Sequence, residues 1–523
     1  MRILVSDPLA QDGLALLSSR HTVDVKTGLS EEQLVSIIPE YDALIVRSGT
    51  QVTAPILQAG KRLQVVGRAG VGVDNVDVEA ATACGILVVN APDGNSIAAA
   101  EHTIALMMAL ARHIPAADAS MRARKWERKA FMGVEVTGKT LGVIGLGRIG
   151  REVARRARGL EMHVLGFDPY VSSMHAERLG IELCDLGRLL AESDFITVHV
   201  PLTPATKGMI GKAELARLKP SARIINCARG GIIDEAALDQ ALRDGQIAGA
   251  ALDVFVNEPP LDSPLLDNPR VVLTPHLGAS TREAQVAVAV DVAQQVLDVL
   301  DGKPAAHPVN APIIPPETQA QLLPFCELAE KLGHAAAQLV DKHLNTVRIS
   351  YAGQLAEMNT DLLRALIIKG LLQEVTEARI TLVNAGLIAR ERGLEVSEEK
   401  SGDAGHFANL ITLTLNENGT QRALAGTVIR DEPYIVRIDK YWLDFVARGY
   451  QLLVYNRDQP GLIGQVGLVT GRADINIAFM GVGRLAARGD ALMVLTLDEF
   501  IPPHVQAEID ALPGVYSTKL LVL

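Results

Sequence analysis

Three short segments each place a reactive side chain directly after a run of strand-forming residues. Arg229 follows IINCA and precedes two glycines, Glu258 follows ALDVFVN and precedes Pro259 and Pro260, and His276 follows VVLTP and precedes LGAS. A guanidinium presents five donors in a fork that suits a carboxylate bidentately. An imidazole exchanges a proton near neutral pH, and a neighbouring carboxylate favours the imidazolium and raises its pKa. Together the three could clamp an organic acid and take the proton of its hydroxyl. Read singly, each has a plainer role. Arg229 would cap a helix or form a salt bridge, Glu258 would be a solvated loop residue, and His276 would bond a backbone carbonyl.

Oxidising an alcohol carbon also needs a hydride acceptor, and the strongest local pattern supplies a place for one. The segment LGVIGLGRIGREVARRARGLEMHVLGFDPY (141–170) carries Gly145, Gly147 and Gly150 as GxGxxG between a strand and a helix. The first glycine permits the tight turn, the second lets the backbone approach a pyrophosphate, and the third lets the helix lie close to the sheet. Free N–H groups and the positive helix end would meet the pyrophosphate, with Arg148 over it and Ile149 beside it. Asp168 ends the next strand, eighteen residues after Gly150. A carboxylate there accepts from both adenosine ribose hydroxyls and repels a 2′-phosphate, which favours NAD over NADP. The alternative is a tight-turn glycine cluster with no ligand.

These side chains need a scaffold at whose strand ends they converge. ILVSD (3–7), ALIVRS (43–48), LQVVGRAG (63–70) and ILVVN (86–90) alternate with helical stretches in the rhythm of a parallel sheet. Residues 98–113 read as a helix buried on most faces, and a basic stretch, MRARKWERKAFMG, leads onward. A second region from about 138 offers six strands: TLGVIGLG, MHVLGFD, FITVHV, RIINCA, GAALDV and VVLTPH. A helix at 282–302 follows, and then Pro304, Pro308, Pro312, Pro315 and Pro316 mark an extended linker. The expected arrangement is a discontinuous substrate-binding lobe (1–98 plus 289–309) and a dinucleotide-binding domain (99–288), with a cleft between them.

Beyond the linker, residues 310–450 read as an α+β domain. Helices are expected at 321–341 and 362–390, with strands TVRISYAG, NLITLTLN, RALAGTVI and EPYIVRID and no titratable cluster. Residues 451–523 follow the ferredoxin-like order βαββαβ. The fold class is therefore α/β: two Rossmann-like parallel-sheet lobes with a cleft, then an α+β intervening domain and a ferredoxin-like domain.

Composition bounds the function. The 523 residues are 48% hydrophobic and 21% charged, which excludes a disordered or collagen-like chain. A net charge of −11 argues against nucleic-acid or anionic-membrane partners. Four cysteines without a CxxC pair make neither a disulfide framework nor a thiolate metal site. Without a leader segment or an apolar run of 18 residues, a cytoplasmic location is expected, with no metal.

On these residues the chain resembles the NAD-dependent D-2-hydroxyacid dehydrogenases, and among them the long members with two extra domains, over essentially its whole length. The resemblance implies that Arg229, Glu258 and His276 are the catalytic set. It implies nicotinamide carboxamide contacts at Cys227 and Asp253, further nicotinamide contacts at His276 and Gly278, and a cofactor contact at Val200. VRSGTQVT and VGRAGVGVDNVD imply substrate contacts at Arg47, Ser48, Gly70 and Val71, with Gly72 and Asn75 nearby. The backbone near Gly70 and Val71 would hold the substrate carboxylate with Arg229, and Arg47 would face a phosphate. Many relatives carry Thr where this chain has Val71 and some where it has Val200, so two hydroxyls are lost while the backbone N–H groups remain. Arg122, Trp126 and Lys129 would add positive field across a dimer contact.

The last unit resembles the ACT domain, which in this family binds serine between paired copies; the matching positions are Asn456, Asp458 and Asn476, with Gly461 permitting close approach. A purely structural ACT pair is the alternative. The middle segment resembles the intervening allosteric-substrate-binding domain. The implied activity is NAD-dependent oxidation of D-3-phosphoglycerate to 3-phosphohydroxypyruvate, the first step of the phosphorylated route to serine, in a homo-oligomer, expected to be a tetramer, with L-serine as effector. Two other readings stand beside it: a dehydrogenase or reductase of another D-2-hydroxyacid such as 2-hydroxyglutarate, and an NADH-sensing, corepressor-like protein.

Overall fold

The computed structural model describes residues 1–313, 316–340, 344–373, 379–417 and 420–523. Its first sheet is five-stranded and wholly parallel: β1 (Arg2–Val5), β2 (Thr22–Val25), β3 (Ala43–Val46), β4 (Val65–Arg68) and β5 (Leu87–Asn90), in the order β2-β1-β3-β4-β5. The sequence reading finds four of these strands. The fifth, TVDV at β2, is a partly exposed edge strand without a continuous apolar run, so it carries no buried-strand signal.

Helix α1 (Ser96–Ala111) leads out of this lobe and buries Ala100, Met107 and Leu110 in the core of the second. Helix α2 (Ile114–Arg122) follows and buries none of its residues. The second sheet holds β6 (Thr140–Ile144), β7 (His163–Phe167), β8 (Glu182–Leu183), β9 (Phe195–Val198), β10 (Arg223–Asn226), β11 (Gly249–Leu252) and β12 (Val271–Leu273). All are parallel, in the order β12-β11-β10-β9-β6-β7-β8. This is a doubly wound sheet of seven strands where six are expected. The added β8 is a two-residue edge strand, too short to carry a periodicity. Helix α3 (Arg148–Gly159) rises from the glycine turn after β6.

The chain then returns through α4 (Arg282–Leu300), capped by the Thr281 side chain. Val288, Val292, Val296 and Leu300 of α4 share one core with Ile3, Val5, Ile45 and Val65 of the first lobe. Each fully buried valine contributes about 1.5–3 kcal/mol. The proline-rich segment is stitched to β5 rather than free: Pro308 bridges Val89, Val309 N–H donates to Val88, and Asn310 bonds Val88 and Ile86. Pro315 lies outside the described residues.

Helices α5 (Pro316–Leu339) and α6 (Asp361–Leu372) cover one face of a six-stranded mixed sheet. Its strands are β13 (Thr346–Gly353), β14 (Glu395–Ser401), β15 (Asn409–Glu417), β16 (Thr420–Ile429), β17 (Glu432–Ile438) and β18 (Tyr441–Val446), in the order β14-β13-β15-β16-β17-β18. The helix expected over 362–390 ends at Leu372 and resumes at Ala385–Glu391; residues 374–378 between them lie outside the description. The last domain pairs β19 (Tyr450–Arg457), β20 (Ile477–Arg484), β21 (Asp490–Leu497) and β22 (Val515–Val522) as an antiparallel sheet β20-β21-β19-β22, with two helices between the strands. This is the ferredoxin-like order.

The contact on which the second lobe's nucleotide turn rests is the approach of α3 to the glycine loop. A Cβ on Gly150 would lie 2.0 Å from the backbone oxygen of Gly145. Backbone cannot yield there without parting the helix from the turn. Gly150→Ala is therefore expected to cost about 1–3 kcal/mol of stability and to weaken dinucleotide binding, read by thermal unfolding with and without the cofactor. An unchanged Tm and an unchanged Kd would contradict this packing.

Candidate active site

The carboxyl ends of the two parallel sheets face one cleft, where ligands of doubly wound folds bind. Glu258 and His276 arrive there from the loops after β11 and β12. His276 Nδ1 stands 2.7 Å from Glu258 Oε2, and Glu258 Oε1 accepts the Phe255 N–H at 3.1 Å. A carboxylate on Nδ1 selects the tautomer that donates from Nδ1 and leaves Nε2 as the free lone pair. Burial pushes the Glu258 carboxyl up, but the bonds from His276 and the Phe255 N–H outweigh it and hold it below its ordinary value. The ion-pair partner expected for the imidazole is thus ionised at neutral pH.

His276 has a left-handed backbone, φ +54°, which costs a non-glycine residue roughly 1–2 kcal/mol. Asp253 holds it there. This fully buried residue accepts the His276 N–H on its backbone oxygen at 2.9 Å. Its carboxylate accepts the Thr274 hydroxyl at 2.6 Å, the Leu277 N–H at 2.7 Å and the Gly278 N–H at 2.8 Å, and faces His102 Nε2 at 3.2 Å. Burial pushes this carboxyl up; the bonds from His102, Thr274 and Leu277 more than offset it and lower its pKa. Both carboxylate oxygens of Asp253, read from the sequence as a nicotinamide contact, are engaged within the protein. Cys227, read likewise, is buried, and burial pushes its thiol up to about 12.

Arg229 follows β10 in a loop tied by the buried Asn226 side chain, which donates to the Arg229 carbonyl and accepts the Ala228 N–H. The guanidinium reaches the opposite lobe: Nε donates to Asp74 at 3.0 Å and Nη1 to the Ala228 carbonyl at 2.7 Å. A Cβ on Gly72 would lie 1.9 Å from its Nη2. The Arg47 N–H donates to Asp7 at 2.6 Å, and Asp7 also takes the Thr50 N–H and hydroxyl. Asn75 braces that turn through the carbonyls of Arg47 and Thr50, and Ser48 beside it is exposed. Asn90 holds the Val71 carbonyl, and the Ala91 N–H holds that of Gly70.

A third guanidinium, Arg68 at the end of β4, escapes the sequence reading. Its Nε is buried without a hydrogen-bond partner. A Cβ on Gly70 would lie 1.6 Å from its Nη1. Burial, then the charges of Arg229 and Arg47, push its pKa down to about 10, with Asp74 and Asp7 opposing. Asp74 also escapes that reading. Its signal is the glycine-flanked VGVDN, but its partner lies in the other lobe.

The glycine turn fits a dinucleotide. Gly145 has φ +92°, and the space over Gly147 is open, with nothing within 4 Å of a built Cβ. Asp168 ends β7 against this turn and accepts the N–H groups of Leu146 at 2.8 Å and Tyr170 at 2.9 Å. Val200 packs on the second-lobe core beside Gly145, and Ile149 is partly buried at the start of α3. Arg148, expected over the pyrophosphate, pairs with Asp93 of the opposite lobe at 2.7 Å.

The expected serine set does not meet within one chain. Asp458 pairs with Arg484 at one end of the last sheet, near the buried Asn456, whereas Asn476 bonds Asp498 before β20 at the other end. An eight-residue strand, roughly 25 Å at about 3.3 Å per residue, separates them. Arg122 pairs with Asp118 on the unburied α2, and Trp126 and Lys129 are exposed beyond it. Among the described residues no group of three or more His, Cys, Asp or Glu could hold a metal ion.

Residues 104–278 match the model of the D-isomer specific 2-hydroxyacid dehydrogenase NAD-binding domain, and residues 321–439 match that of the D-3-phosphoglycerate dehydrogenase intervening domain. The chain is similar to D-3-phosphoglycerate dehydrogenase of Synechocystis, 47% identical over 99% of this chain and 95% of that one. It is also similar to D-3-phosphoglycerate dehydrogenase of Methanocaldococcus jannaschii, 45% identical over 100% of both. Among solved structures, the TT0316 protein of Thermus thermophilus covers 59% of this chain at 34% identity and TM-score 0.55, with all of that chain matched. Apo D-lactate dehydrogenase of Escherichia coli covers the same share at 29% identity and TM-score 0.53, again with all of that chain matched.

Asp168→Ala removes the carboxylate beside the glycine turn. The ratio of kcat/KM with NAD to that with NADP is expected to fall by about tenfold or more. A ratio equal to the parent's would remove Asp168 from cofactor selection.

Proposed function

This chain belongs to the D-3-phosphoglycerate dehydrogenase family, and from that membership we propose how its own residues oxidise D-3-phosphoglycerate to 3-phosphohydroxypyruvate. His276 Nε2, left free by the Nδ1 bond to Glu258, takes the proton of the C2 hydroxyl as the C2–H bond breaks and C2=O forms. Oxidised nicotinamide, when bound, supplies the acceptor for the hydride that leaves C2. Glu258 stabilises the resulting imidazolium, and in the reverse direction that imidazolium returns the proton to the ketone oxygen.

Arg229 clamps the substrate carboxylate with the N–H groups near Gly70 and Val71, exchanging the exposed Asp74 carboxylate for that of the substrate. Arg47 faces the phosphate. Asp168 beside the glycine turn supports NAD as the cofactor. The observation that carries the reading is the 2.7 Å pair of His276 and Glu258 at the strand ends of the sheet that also bears the glycine turn and Arg229.

The chain works as a homo-oligomer, which we take to be a tetramer in the cytoplasm. Helix α2 buries nothing and Trp126 is 75% exposed, which supports a partner surface. The four cysteines are free, as suits a reducing compartment. Asn456 and Asp458 of one ACT domain with Asn476 of a second would frame L-serine between chains, since one chain holds them apart.

Absorbance of the reduced nicotinamide over a panel of D-2-hydroxyacids, with and without L-serine, tests the substrate and the effector. Preference for another acid would reassign the substrate, and tight NADH binding with negligible turnover would favour the corepressor-like reading. His276→Ala should lower turnover by about 10²–10⁴-fold with NAD binding nearly intact; parent-like turnover would overturn the proton assignment. Arg229→Ala should raise KM for the acid by roughly tenfold or more, and an unchanged KM would free Arg229 from the carboxylate.

A further inference from the structure

The chain passes between the lobes twice. It leaves the first lobe at the start of α1 and returns through the loop after β12 into α4. His276 sits in that returning loop. Asp253 lies between the two crossings, and its side chain or backbone is bonded to Thr274, His276, Leu277 and Gly278 of the loop. Its one partner on α1 is His102, whose ring is about one-fifth exposed.

His102 Nε2 stands 3.2 Å from Asp253 Oδ1 and 3.1 Å from Thr274 Oγ1. The Thr274 hydroxyl spends its own proton on the same carboxylate oxygen at 2.6 Å. Nε2 therefore meets two acceptors, and it must carry a proton and donate to them. The loop it donates into holds its histidine in a left-handed conformation, which persists only where the surroundings over-determine it.

We propose that His102 is a positioning residue for the oxidation: donating from the helix at the first crossing, it fixes the 274–278 loop through Asp253 and Thr274, and so sets where His276 meets the substrate hydroxyl. The inference rests on the reading of His276 as the proton acceptor.

The test uses the full chain with His102→Leu, His102→Gln and His102→Asn beside the parent and His276→Ala. A glutamine amide reaches both oxygens, an asparagine is too short, and leucine keeps bulk without a donor. Turnover of His102→Leu and His102→Asn should fall on the order of 10–100-fold, with KM and NAD affinity within about threefold of the parent. The primary isotope effect for substrate deuterated at C2 should rise as hydride transfer becomes slower than product release. His102→Gln should regain most of the lost turnover. If His102→Leu does not fold, the Gln and Asn pair carries the comparison. Equal turnover for Gln and Asn, or an isotope effect unmoved in the Asn variant, would overturn the proposal. Parent-like activity of His276→Ala would overturn the underlying reading as well; an inactive His276→Ala beside a fully active His102→Asn would overturn this inference alone.

Discussion

The buried carboxylate of Asp253 is the constraint around which the candidate site is built. Taking an anion out of water is costly, and this one is wholly buried. It is tolerated because backbone and side-chain donors converge on it from one loop and from helix α1. The return on that arrangement is a histidine held in a backbone conformation that an isolated loop would abandon. Glu258 then fixes the ring from the other side. One buried charge orients the backbone of His276 and a second, more exposed one orients its imidazole.

The opposite wall of the cleft shows the complementary strategy. Overall the chain is acidic, with a net charge of −11, yet Arg47, Arg68 and Arg229 share one cleft closely enough that the charges of Arg229 and Arg47 help push the buried Arg68 down. Like charges gather at such a cost where an anion is to be bound. Glycines at 70 and 72 leave the volume that two of these guanidiniums occupy. Asp74 partly neutralises the cluster and holds Arg229 extended across the cleft. Substrate carrying both a carboxylate and a phosphate matches this distribution better than a simple hydroxy acid would.

What could be read from the chain alone is what is encoded locally. The GxGxxG turn, Asp168, and the three strand-end side chains each lie within a short window whose pattern names its own context. The ferredoxin-like order of the last domain was legible for the same reason. Arg68, Asp74 and His102 were not, because their meaning comes from partners far away in sequence: Asp74 meets Arg229 across 155 positions and His102 meets Asp253 across 151. Strands β2, β8 and β14 escape the sequence because edge strands that are short or largely exposed lack an apolar period, whereas β18 (YWLDFV) escapes it although its side chains alternate buried and exposed. Asp253 enters the sequence reading only through the family resemblance, as a nicotinamide contact; the saturation of its carboxylate by the 274–278 loop needs three dimensions.

Proton transfer from the substrate depends on where the imidazole sits when the cleft is filled. A crystal structure of the full chain with NAD and D-3-phosphoglycerate measures that directly. It should place His276 Nε2 at about 2.6–3.2 Å from the C2 hydroxyl, with Arg229 on the carboxylate and the Asp253 bonds to Thr274, Leu277 and Gly278 intact. A closed complex in which the ring lies roughly 10 Å from the nicotinamide, well beyond hydrogen-bond reach of the hydroxyl, would contradict it.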